Sequence, residues 1–255
     1  VGGAARWKTP RMPWHDVECR LVGPVVADLA THFDERWGFY GGARRAVAPQ
    51  PPVGRVDARV FRSVCRSSGS ALERSVYQEM IRLIRRAKRF IYIEQQYFLS
   101  NAGRRAVWNH VGAEIAARIA RAAAVREPFF VIVLLPVFSE GQLTNKSVRK
   151  IMEYTRRTFV GGTASIGATL QRSGVDPAAY LSVCNLYSVG CSGGFPVTAS
   201  QVYVHAKVMI VDDQTVLLGS ANMNDRSLRG DRDTEIAVGL YDERDCGVPF
   251  DGRVF

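Results

Sequence analysis

The stretch Val204-His205-Ala206-Lys207-Val208-Met209-Ile210-Val211-Asp212, continued by Gly219-Ser220-Ala221-Asn222-Met223-Asn224-Asp225-Arg226-Ser227, decides how the rest of the chain is read. Apart from His205, Ala206 and Lys207, residues 202–211 are β-branched, aromatic or otherwise apolar, which predicts a strand. Side chains alternate across a strand, so His205 and Lys207 share one face while Val204, Ala206, Val208 and Ile210 line the other. Asp212 has the opposite parity and falls where the strand gives way to a turn. It completes the pattern, but is expected to hold that turn or pair a cation and not to touch substrate. Thr215 to Leu218 predicts a second short strand, and Gly219-Ser220-Ala221-Asn222 turns out of it, returning small polar groups towards His205.

The chemistry such a cluster supports is phosphoryl chemistry. An imidazole neutral near pH 7 can attack phosphorus or pass a proton. A neighbouring ammonium such as Lys207 supplies positive charge where phosphate oxygens gather negative charge, and Ser220 and Asn222 add hydrogen-bond donors. A lone His-x-Lys says little, because a strand histidine is usually structural. The joint pattern, His-x-Lys-x-x-x-x-Asp followed after six residues by Gly-Ser-x-Asn, is far more specific.

That pattern resembles the HKD motif of the phospholipase D superfamily, and its wording is close to the second HKD motif of the eukaryotic enzymes. Three further blocks carry the resemblance. Pro10-Arg11-Met12-Pro13-Trp14-His15-Asp16 is similar to the segment that follows the first HKD motif. By that resemblance Asp16 would orient the first motif's histidine, which this chain does not contain. Phe90-Ile91-Tyr92-Ile93-Glu94-Gln95-Gln96-Tyr97-Phe98 resembles the Ile-Tyr-Ile-Glu-Asn-Gln-Tyr-Phe block between the motifs, with Gln95 in the place of Asn. In the family this strand ends near the floor of the active site, which makes Glu94 and Gln96 candidates for lining the pocket. Arg226 to Val238 resembles the closing block, in which a carboxylate at Glu235 would brace His205.

The resemblance implies an α/β fold, a mixed β-sheet sandwiched by helices. Strands interleaved with helices along the chain agree with this. It implies two lobes that meet pseudo-symmetrically around a shared pocket with no metal and no cofactor. One histidine attacks the phosphodiester to give a phosphohistidine, and the other, here His205, acts as acid and then as base. Lys207 and Asn222, with Ser220, would hold the phosphoryl oxygens. The implied partners are a phospholipid at a membrane surface and a lobe carrying the first HKD motif, upstream on a longer chain or on a second copy. The remaining alternatives are a nucleic-acid phosphodiesterase of the same superfamily and a catalytically incomplete membrane-binding fragment. Nucleic acid is the weaker partner, because aromatic and Arg residues are not interleaved as a base-stacking groove would require.

Composition sets the outer bounds. Of 255 residues 47% are hydrophobic, enough for a packed core, and 34 Lys and Arg against 24 Asp and Glu leave a net charge of +10. That balance suits an anionic partner, either an acidic membrane surface or a nucleic acid. The five cysteines include no C-x-x-C, which points to a reduced, intracellular setting. The longest apolar run, Phe129 to Phe138, is too short to span a bilayer, so a peripheral membrane or cytoplasmic protein is expected. The chain opens on Val1 in what reads as the middle of a protein, and is expected to be a fragment.

Elsewhere, spacings of three and four predict a helix from Pro24 to Trp37, and Gly41 to Gly54 reads as a flexible connection. Ser70-Ala71-Leu72-Glu73 reads as a capping box opening a helix to about Arg89, whose far end carries Arg82, Arg85, Arg86, Lys88 and Arg89. A helix is expected over Ala106–Arg126, a doubly buried strand over Phe129–Leu135, a basic amphipathic helix over Asn145–Phe159, and a strand over Tyr180–Val189. A Gly-rich loop, Cys191 to Pro196, precedes the motif strand. The expected organisation is a remnant of the first catalytic lobe at 1–45, a linker at 46–69 and the second catalytic lobe at 70–255.

Overall fold

A computed structural model describes residues 12–43, 48, 50–65, 71–103, 106–190, 198–242 and 244, and the backbone of 249–250 and 253–254. In chain order the elements are β1 (Trp14–His15), α1 (Val25–Phe39), β2 (Asp57–Val64), β3 (Glu73–Arg74), α2 (Ser75–Arg86), β4 (Phe90–Gln95) and α3 (Val111–Ala124). They continue with β5 (Phe130–Leu134), α4 (Lys146–Phe159), α5 (Ile166–Arg172), β6 (Leu181–Cys184), β7 (Leu186–Gly190) and β8 (Thr198–Val204). The last part holds β9 (Lys207–Val211), β10 (Thr215–Gly219), α6 (Asp225–Leu228), β11 (Glu235–Tyr241) and a two-strand pair, Pro249–Phe250 with Arg253–Val254.

Eight strands form one mixed sheet in the order β3-β2-β11-β10-β9-β4-β5-β6. β4, β5 and β6 run parallel, and the rest pair antiparallel. Ile91 and Ile93 of β4, Val131 and Val133 of β5, and Met209 and Val211 of β9 turn to one face and bury there. Against them α2 lays Val76, Met80, Leu83 and Ile84, and α3 lays Val111, Ile115 and Ile119. Both stripes recur at three- and four-residue spacing, the pattern of a helix that buries a single face. On the other face Ala206, Val208 and Leu218 form a smaller cluster with Ile210 and Val216. Arg62, which alternates with the core-facing Phe61, holds α1 against β2 there through Glu35 at 2.7 Å. The expected sandwich of helices about a mixed sheet is therefore the observed architecture.

A second, three-stranded sheet, β1-β8-β7, carries the start of the motif. β8 pairs antiparallel with β7 and parallel with β1, with Trp14 opposite Tyr203 and His15 opposite Val204. The chain leaves this sheet at Val204 and enters the large one at Lys207. The single strand expected over 202–211 is thus two strands in two sheets, with His205 and Ala206 at the corner.

Other expectations need correction. The linker at 46–69 is interrupted by β2, which pairs along its whole length with β11 inside the large sheet. The helix expected from the capping box begins at Ser75, and its N-terminus has no side-chain cap. Ser70 lies outside the described residues, and the Glu73 carboxylate accepts instead from Arg62 at 3.0 Å and from the Ser75 hydroxyl at 2.7 Å. α3 begins only at Val111 because the Asp225 carboxylate takes the N–H groups of Trp108 (2.6 Å) and Asn109 (3.0 Å) into a cap of its own. The strand over 180–189 breaks at Asn185, whose amide donates to the Leu135 carbonyl at 2.9 Å. α1 forms as expected, but none of its residues is buried, and Phe33 and Trp37 stack on its open side. At the basic end of α2, Arg82 pairs with Glu79 and Arg85 with Glu114, so part of that charge is neutralised locally. The loop Cys191 to Pro196 lies outside the described residues. No described helix is long and apolar enough to cross a membrane.

Candidate active site

The corner between the two sheets presents His205. The His15 carbonyl accepts from both His205 N–H (2.7 Å) and Ala206 N–H (3.2 Å), so two successive residues face one on the neighbouring strand. That two-against-one pairing is the geometry by which a bulge re-aims a side chain. Lys207, on the first position of β9, folds back and donates from Nζ to the carbonyl of His205. It is only 8% exposed. Burial pulls its ammonium down to about 8, against the Asp16 and Glu235 carboxylates that hold it up.

Asp16 lies directly beside the ring, with Oδ2 2.7 Å from His205 Nδ1. Desolvation pushes the Asp16 carboxyl up, but the hydrogen bonds from His205 and from the Val17 N–H outweigh it and keep the acid below its ordinary value. An ionised carboxylate can only accept, so Nδ1 carries the proton and Nε2 is left as the reactive nitrogen. Trp14 tilts over the imidazole at 4.9 Å between centroids and over Tyr203 at 4.8 Å. Tyr203 is fully buried, and its hydroxyl accepts from Gln96 Nε2 at 3.1 Å.

Behind Lys207 stands a carboxylate pocket. The hydroxyls of Ser220 and Ser227 each donate to one oxygen of Glu235 at 2.5 Å. Burial raises the Glu235 carboxyl in spite of these two donors. Gln95, 1% exposed, accepts from the Met223 N–H at 3.1 Å and so fixes the turn that carries Ser220 and Asn222. Gln95 thus anchors that turn with its longer side chain. The buried Oδ1 of Asn222 has no partner, and Asn222 lines a cavity of about 470 Å3 with Tyr97, Lys150 and Arg226.

The structure brings together His205, Lys207, Asp16, Ser220 and Glu235, rearranges their partners, and leaves Asn222 on a cavity that none of these five lines. Asp16, expected to serve a histidine outside this chain, is the carboxylate on His205, because β1 runs parallel to β8 and ends alongside the corner. Glu235, expected on His205, spends both oxygens on serine hydroxyls. Asp212 sits at the far end of β9, about 20 Å of strand from the corner. Its carboxylate accepts from the N–H groups of Lys88 (2.7 Å), Arg89 (2.7 Å) and Phe90 (3.0 Å), so it holds a turn, as its parity predicted, and is not part of the pocket. Glu94 also fails to line the pocket. It is on the opposite face of β4 from Gln95, taken up by His15 Nε2 (2.8 Å) and the Tyr92 hydroxyl (2.7 Å). Gln96 reaches the site only through Tyr203. Sequence reasoning missed Trp14, His15 and Tyr203; the signal for the first two was their adjacency to Asp16 in one block.

An imidazole with Nδ1 on a carboxylate and an ammonium at its shoulder, set where a central strand of a mixed α/β sheet begins, is the kind of arrangement that can handle a phosphoryl group. More particularly, the chain belongs to the phospholipase D family, whose model matches residues 2–51, 44–191 and 196–248. It is 37% identical to Phospholipase D A of Dictyostelium discoideum, covering 94% of this chain and 19% of that protein. It is 38% identical to Phospholipase D2 of Bos taurus, covering 91% and 28%, and 32% identical to Phospholipase D1 of Homo sapiens, covering 98% and 26%. The chain thus spans between about a fifth and somewhat over a quarter of these three relatives' length.

Proposed function

We propose that this chain supplies the second-motif half of a phospholipase D, which hydrolyses the phosphodiester of phosphatidylcholine-like lipids to phosphatidic acid and the free headgroup. The observation that carries the reading is the Asp16–His205 pair at 2.7 Å with Lys207 beside it. In the first step an imidazole on a first-motif lobe attacks phosphorus, and the bond from phosphorus to the headgroup oxygen breaks. His205, protonated on both nitrogens, gives its Nε2 proton to that oxygen, since an alkoxide leaves poorly without one. Asp16 stabilises the imidazolium before transfer and fixes the Nδ1–H tautomer after it. In the second step Nε2 takes a proton from water, whose oxygen displaces the histidine from phosphorus. With its pKa at about 8, Lys207 stays roughly nine-tenths charged at pH 7. With Asn222, whose amide can turn Nδ2 towards an oxygen, it holds the phosphoryl group, and Ser220 assists. The lipid lies at a membrane surface, to which a net charge of +10 gives electrostatic attraction.

The only His-x-Lys in the sequence is His205-Ala206-Lys207, so the first motif comes from a further stretch of chain or a second copy. Residues 1–255 alone are expected to release little or no choline from phosphatidylcholine. A longer chain carrying a first-motif lobe is expected to release it, and to lose that activity on His205→Ala. Robust release by residues 1–255 alone, abolished by His205→Ala, would overturn the half-site reading. Cleavage of single-stranded DNA in preference to lipid by the longer chain would overturn the substrate.

A further inference from the structure

Asp16 is poorly supported for a group that must hold a reacting ring in place. β1 is two residues long, Met12 and Trp14 are exposed, and the Asp16 side chain is 48% exposed. Strands that short are not stable on their own. Catalytic constellations need their members held to about 0.5 Å by neighbours that are themselves fixed. The β1 backbone does contribute: Tyr203 N–H donates to the Pro13 carbonyl and His205 N–H to the His15 carbonyl, each at 2.7 Å. Those bonds tie β1 to β8 and to the corner, which are parts of the same small assembly. They do not tie it to the large sheet.

His15 does. Its side chain leaves β1 on the side away from Asp16 and donates from Nε2 to Glu94 Oε2 at 2.8 Å. Glu94 is 9% exposed and sits on β4, between Val208 of β9 and Leu134 of β5 in the middle of the large sheet. Its other oxygen accepts from the Tyr92 hydroxyl at 2.7 Å, so both carboxylate oxygens are held. A fixed line therefore runs from Tyr92 through Glu94 to His15, then across one peptide to Asp16 and on to His205.

We propose that His15 and Glu94 are positioning residues: they strap the Trp14-His15-Asp16 segment to the large sheet and so hold the Asp16 carboxylate on Nδ1 of His205. This rests on the reading of His205 as the reacting histidine, but the contact itself can be tested without turnover. The bland alternative is a pair of groups that satisfy one another in a seam, with no bearing on His205.

The experiment uses the chain as it is, with 15N-labelled histidine, and follows the His205 Nδ1–H resonance and its exchange with solvent. Asp16→Ala assigns the signal by abolishing it. His15→Ala and Glu94→Ala are expected to broaden it away or speed its exchange at least tenfold. Glu94→Gln, whose amide oxygen still accepts from His15, is expected to restore most of the protection. His15 is partly exposed, so His15→Ala tolerates folding and decides the matter if Glu94→Ala does not fold. A native signal with native exchange in folded His15→Ala overturns the strap, whatever happens to the melting temperature. In a longer, active chain the same substitutions are expected to lower kcat about tenfold with KM within twofold, and to add nothing in an Asp16→Ala background. Full additivity there overturns it too. Absence of lipid turnover with an intact, strap-dependent resonance would count against the phospholipase reading alone.

Discussion

Replacing Lys207 by Met should make the protein more stable while disabling the site. Lys207 is 8% exposed, and burial lowers its ammonium from 10.5 to about 8. That fall costs the charged form on the order of 3 kcal/mol at neutral pH. Met fills nearly the same volume without charge, so the cost disappears. In return the His205 carbonyl loses its charged donor, worth about 1.5–3 kcal/mol. The balance favours Met by about 1 kcal/mol, which for a chain of this size raises the melting temperature by about 2–4 °C. The pH dependence gives the sharper test. A lysine whose folded value lies below its unfolded one penalises the native state fully at pH below about 8, and not at all above 10.5. Wild type therefore gains on the variant as pH rises from 8 towards 10.5. Urea unfolding followed by circular dichroism from pH 7 to pH 10 measures both quantities. A variant less stable than wild type at pH 7, or a difference that does not change with pH, refutes the reasoning.

Asp16→Asn keeps the shape but removes the obligate acceptor on Nδ1, and should lower kcat of an active, longer chain by about 10²–10⁴-fold with little change in the unfolding midpoint. Asp212→Ala strips three backbone N–H groups of their acceptor at a residue with φ of 56°, and should cost about 2–3 kcal/mol by urea titration. Glu235→Gln should stabilise the protein at pH 7. A buried carboxyl raised above its ordinary value holds its proton more tightly folded than unfolded, so stability is lost as pH rises past 4.5. Thermal melts at pH 4 and pH 7 should show the gain over wild type only at the higher value.

Much of the large sheet was legible because its strands announce themselves locally. Phe90-Ile91-Tyr92-Ile93 and Phe130 to Leu134 are apolar runs that only burial accommodates. Asp212 was readable from parity. The helix starting at Asn145 was readable too, and the structure shows the Asn145 side chain capping α4 by accepting from Ser147 N–H at 2.8 Å. β2 was not legible, since Asp57-Ala58-Arg59-Val60 follows a Pro- and Gly-rich stretch and its order comes from pairing with β11, far along the chain. The partners of Asp16, Glu94 and Glu235 were illegible for the same reason. Which carboxylate meets which donor depends on strand neighbours, and strand order is a property of the assembled sheet. The break at His205-Ala206 was hidden because a corner and a continuous strand share the same apolar pattern.

The acid and the ring it serves lie 189 positions apart along the polypeptide. Bringing such distant points together costs about 4–5 kcal/mol of chain entropy if the intervening stretch is loose, and far less once the large sheet has formed. During renaturation the expected order is therefore recovery of secondary structure and core fluorescence first, and of the carboxylate-held imidazole last. Synthesis on the ribosome imposes the same delay, since the segment bearing Asp16 waits for a further 189 residues before it meets its histidine. Until these two segments dock, a molecule can have its large sheet formed and still lack the carboxylate on its imidazole.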